Sequence, residues 1–161
     1  MEIFSRRLEL HGPEIGDGEL KRALRPWTSW LPWYSMTRRW RRRALNFIFL
    51  RNTRITGTGL ECLYVLRNVL WLDLAGVQCL DPLAMLTIGA SRSLIILNLE
   101  RTNVSDAWLP SMKGLLRLDW LGLIGTKVTR HAVWDLRQWL PRATIVHNEG
   151  IDFGSAATEK N

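Results

Sequence analysis

Residues 94–109 read LIILNLERTNVSDAWL. Leu94, Leu97 and Leu99 are spaced L-x-x-L-x-L, Thr102 and Val104 follow, and Ser105-Asp106 precede a helix-like run through Leu109. Side chains of a strand point to alternate faces, so Leu97 and Leu99 share one side and Ile96 and Asn98 the other. Ser and Asp are preferred at helix N-caps. The stretch therefore predicts a short strand, a tight turn and a capped helix.

The same frame recurs. It fits Leu45, Ile48, Leu50, Thr53, Ile55 and Leu60; then Val69, Leu72, Leu74, Val77, Cys79 and Leu83; and, beyond the central copy, Leu118, Leu121, Leu123, Thr126 and Val128. Starts at 45, 69, 94 and 118 keep steps of 24, 25 and 24. A fixed period of this length marks a repeat architecture. A degenerate copy places Leu8, Leu10, Pro13, Ile15 and Leu20 in the same slots, with a short helix over Glu19–Leu24. Leu140-Pro141 ends the last helix, and Ala143–His147 reads as a closing strand.

These residues resemble the leucine-rich-repeat family in a 24-residue form, with Thr53, Thr102 and Thr126 where many members carry Asn. The resemblance covers about residues 5–147. It implies an α/β solenoid in a horseshoe arc, with a parallel sheet on the concave side and helices on the convex side. It also implies a non-catalytic scaffold for binding another protein, and it carries over no catalytic residues. The copy at 69–93 departs from the pattern, since it lacks the Thr and carries Asp81-Pro82 at its helix start. The domain reading is one domain over 1–147 with an insert at 26–43, followed by a flexible tail at 148–161.

If the paired leucines point inward, the residues between them form columns on the concave face. The first reads Arg7, Phe47, Trp71, Ile96, Trp120; the second Glu9, Phe49, Asp73, Asn98, Gly122; the third His11, Arg51, Ala75, Glu100, Ile124. Strands lie about 4.8 Å apart, so the first column is a ladder of large apolar groups beside sparse charges. Such a patch suits the centre of an interface. The candidate partner-binding residues are Phe47, Phe49, Trp71, Asp73, Ile96, Asn98 and Trp120. Gly76, Gly122 and Gly125 are expected to leave the neighbouring aromatics more exposed.

Residues 26–43, PWTSWLPWYSMTRRWRRR, break the register. Between Leu20 and Leu60 there are ten Lys or Arg and no Asp or Glu, leaving 12 basic against 15 acidic residues elsewhere. The charge is localised. Two compatible readings follow. The tryptophans cap the open end of the first regular repeat, or the segment 20–54 contacts an anionic surface, nucleic acid or lipid headgroups, through Arg38, Arg39, Trp40, Arg41, Arg42 and Arg43.

The remaining features narrow the class. No run of 18 apolar residues suggests a transmembrane helix, the first residues lack the apolar core of a signal peptide, and a cytoplasmic protein is expected. Cys62 and Cys79 are read as reduced packing thiols, in a helix slot and a core slot. No metal or other cofactor is expected, because the cysteines and three scattered histidines show no ligand spacing. No phosphate loop, carboxylate pair or nucleophile motif points to an enzyme. The Thr53, Thr102 and Thr126 hydroxyls are expected to bond backbone groups of the neighbouring repeat.

Overall fold

The computed structural model describes residues 7–28, 45–66 and 68–152. Its strands are β1 (Arg7–Glu9), β2 (Phe47–Phe49), β3 (Trp71–Asp73), β4 (Ile96–Asn98), β5 (Trp120–Gly122), β6 (Thr144–His147) and β7 (Gly150–Asp152). They lie side by side in chain order in one sheet, parallel from β1 to β6, with β7 antiparallel. Helices α1 (Asp17–Thr28), α2 (Gly57–Leu60), α3 (Pro82–Ala90) and α4 (Arg130–Trp139), with 3₁₀ segments at Glu61–Tyr64 and Asp106–Gly114, fill the crossovers. The chain is thus mixed α/β with a mostly parallel sheet.

Register follows the sequence period. Leu8, Ile48, Leu72, Leu97, Leu121 and Ile145 pair in line across six strands. From Ile48 onward these side chains are buried, as are Leu50, Leu74, Leu99 and Leu123. They join helix residues such as Leu60, Met85, Ile88, Leu109, Val133 and Leu136 in one core. Each fully buried leucine contributes about 1.5–3 kcal/mol of gross driving force. Leu8 and Leu10, on the first strand, are only partly buried.

The turn leaving each strand has a common backbone. Gly12, Asn52, Gly76, Arg101 and Gly125, each two residues after the second strand leucine, all have positive φ. Two of these positions carry side chains in a region that L residues rarely adopt. Three residues after that leucine, the Thr53, Thr102 and Thr126 hydroxyls donate to the carbonyls of Leu50, Leu99 and Leu123 at 2.7–2.8 Å. The threonine column therefore closes its own turn. The expected bond to the neighbouring repeat is replaced by this one within the turn.

The step of 25 residues has a local origin. In the other repeats Ile55, Val104 and Val128 sit directly before the helix cap and are buried. In the 69–93 repeat that place belongs to Leu80, and Cys79 is exposed. The extra residue lies between Val77 and Leu80, so the expected core slot of Cys79 is corrected by one. Asp81 then caps α3 as expected, accepting the Ala84 N–H at 2.8 Å. Thr129 caps α4, accepting the Ala132 N–H at 3.3 Å.

Other expectations shift as well. Asp106–Gly114 is 3₁₀ rather than α, and Pro110 lies within it, where its ring and missing N–H oppose α-helical bonding. Helix α3 runs through Gly89; a Cβ there would overlap the Ser111 carbonyl oxygen, so glycine permits this close approach. Helix α1 starts at Asp17 and continues past Pro26 to Thr28. Pro26 removes only one donor near the helix end. The sheet also passes the expected boundary at 147: Ile151 pairs with Val146, so part of the anticipated flexible tail is strand β7.

Candidate interaction face

One sheet face packs on the helices; the other carries the residues between the buried leucines. Phe47, Trp71, Ile96 and Trp120 are in direct register on four adjacent strands, and all four are half-buried. The Phe47 and Trp71 rings meet edge to face at 6.4 Å, and Phe49 lies 5.2 Å from Trp71. The Trp120 ring lies against Gly122, where any Cβ would overlap it. The glycine thus seats the indole against the sheet instead of exposing it, contrary to the expectation from sequence. Beyond Trp120, β6 extends the face with Thr144 and Val146, both half-buried. Continuing the columns into Ala143–His147 would have found them.

The second column differs from its expected role. Phe49 is 9% exposed, Asp73 0% and Asn98 8%, so these three candidate contact residues are buried. Each is used internally. Phe49 stacks under the Arg7 guanidinium at 4.4 Å, and Arg7 also pairs with Glu9 at 2.6 Å. The Asn98 Oδ1 accepts the Glu100 N–H at 2.9 Å. The Asp73 Oδ1 accepts the Ala75 N–H at 3.1 Å, and Oδ2 accepts from Arg51 Nε at 2.7 Å and lies 2.6 Å from its Nη2. A fully buried carboxylate is stable there only because it is paired and hydrogen-bonded. The same bond raises the Arg51 guanidinium above its ordinary pKa, so it stays charged. Asp73 and Asn98 are thus Asx-type braces for the strand-leaving turn.

The rim is made by the third column: Arg51 and Glu100 stay partly open, and Ile124 is 42% exposed. Inside the patch, the indole N–H of Trp71 is buried and has no acceptor among the described residues.

The other flagged residues do not join this face. Arg38, Arg39, Trp40, Arg41, Arg42 and Arg43 lie outside the described residues. The Cys62 thiol donates to the Gly59 carbonyl at 3.2 Å and is pushed up to about 11 by burial, which keeps it protonated at neutral pH. Among the described residues, no three His, Cys, Asp or Glu side chains gather as a metal site, and no helix is long and apolar enough to cross a membrane. Comparison with protein-family models finds no match, and comparison with curated proteins finds none.

Proposed function

We propose that this chain is a leucine-rich-repeat solenoid acting as a non-catalytic scaffold, which binds a partner protein on the open sheet face. The carrying observation is the unbroken row Phe47, Trp71, Ile96 and Trp120, half-open on adjacent strands beside a charged rim. Six parallel strands with a repeated turn geometry support the architectural part of the reading. A row of aromatics over a charged margin has the composition of an interface centre. The buried Asp73 and Asn98 stiffen the shelf, and Trp71, Ile96 and Trp120 supply the contact area.

The test is substitution of the two indoles. Interface energy concentrates in a few aromatic anchors, each typically worth above about 2 kcal/mol. Trp71→Ala and Trp120→Ala are each expected to lose at least about thirtyfold in affinity for the cognate protein, while circular dichroism stays native. Retained affinity in both variants would remove the open face as the binding site.

A further inference from the structure

The outer face of α1 carries a second feature, independent of the sheet. Gly18, Lys21, Arg22 and Arg25 line a surface cavity of about 330 Å³. Their spacing of i, i+3, i+4 and i+7 places them on one helical stripe. The opposite stripe, Leu20 and Leu24, is fully buried, so the orientation of the helix is fixed. All three cations make no hydrogen bond or salt bridge among the described residues, although like charges at i+3 and i+4 repel.

The nearby acids are committed elsewhere. The Asp17 carboxylate accepts the Thr56 N–H at 2.8 Å and the Thr56 and Thr58 hydroxyls at 2.6 Å. Glu19 folds back to accept the Gly16 N–H at 3.1 Å. They stay within Coulombic reach of Lys21 and Arg22, yet neither closes a salt bridge with the stripe. A Cβ at Gly18 would meet nothing within 4 Å, so this end of the cavity is open.

We propose that Gly18, Lys21, Arg22 and Arg25 form a binding site for a compact multivalent phosphate, supplied either as free polyphosphate or as a phosphorylated lipid headgroup. Two guanidiniums and one ammonium give convergent donors suited to phosphate oxygens. The stripe spans about 10 Å of helix, which is short for a nucleic-acid track. Among the described residues, no aromatic side chain lines the cavity to stack a base.

Calorimetric titration of the full chain with inorganic tripolyphosphate tests the site. Arg22→Gln and Arg25→Gln should each weaken binding about tenfold, the loss of one charge-assisted hydrogen bond, with an unchanged melt. Arg117→Gln, an exposed cation far along the chain, should leave affinity unchanged. Phosphatidylcholine vesicles doped with phosphatidylinositol bisphosphate separate the sources. Capture that tripolyphosphate competes away assigns a headgroup; tripolyphosphate binding without vesicle capture assigns a free ligand, and both sustain the site. The proposal is overturned by no tripolyphosphate binding, by equal losses in Arg117→Gln, or by losses only on neutralising Arg38, Arg39 and Arg41–Arg43. Preferential binding of single-stranded DNA that ignores the α1 variants overturns it as well.

Discussion

At the residue scale, a backbone conformation repeats as strictly as the second strand leucine: the left-handed residue leaving each strand. Gly12, Asn52, Gly76, Arg101 and Gly125 hold it in turn. A side chain in that conformation costs about 1–2 kcal/mol relative to glycine. Gly76→Ala should therefore lower stability by about that amount, and its new Cβ would also press on Asn52. Arg101→Gly should be neutral or stabilising by a few tenths of a kcal/mol, since relief of strain is partly offset by a freer unfolded chain. Chemical denaturation of both variants checks the pair; equal losses would contradict the turn geometry. The column was hard to read in the sequence because Asn52 and Arg101 conceal the glycine pattern. The paired leucines, by contrast, were legible because alternate burial leaves a period of two within each strand. Phe49, Asp73 and Asn98 were misread as open because that alternation tells which face a side chain takes, not whether its neighbours cover it.

At the element scale, successive repeats are tied by carboxylates that reach across to a neighbouring repeat. Asp17 takes the Thr56 N–H, Asp81 takes the Gly57 N–H at 3.2 Å, and Asp106 takes the Thr129 N–H and hydroxyl at 2.8 Å. These bonds join residues 23 to 39 apart in sequence, beyond any local motif, and so were not legible from spacing. Burial alone would raise the Asp17 carboxyl, but its bonds from Thr56 and Thr58 outweigh this and hold it below the ordinary 3.8. A carboxyl with a depressed folded-state pKa contributes stability above its unfolded value and loses it as pH falls through the lowered one. Asp17→Asn should thus cost stability at neutral pH and show a shallower loss on acidification than the native chain. Urea melts between neutral pH and about pH 3 check this; parallel pH profiles would contradict it.

At the scale of the whole molecule, the core is a line of leucine layers, each packed on the next. Repeats of this kind are held by nearest-neighbour contacts. Leu97 is fully buried on β4, with repeats on both sides. Leu97→Ala should cost about 2–5 kcal/mol and broaden the thermal transition, whereas an unchanged melt would show that the residue lies outside a layer. The sheet-and-helix alternation, its period and the position of Asp81 at a helix start were all legible from patterning and cap chemistry. The strand β7 was not, because Gly150–Asp152 is a short exposed strand with no apolar alternation to mark it.

The central claim is that the sheet face, and not the helix side, meets the partner. Site-specific photocrosslinking measures this directly. Benzoylphenylalanine at Ile96 stands in the middle of the row, between Trp71 and Trp120; at Leu86 it stands on the exposed side of α3. With the cognate protein present, the account predicts a covalent adduct from position 96 and none from position 86. Adducts from 86 with none from 96, in chains that fold normally, would contradict it.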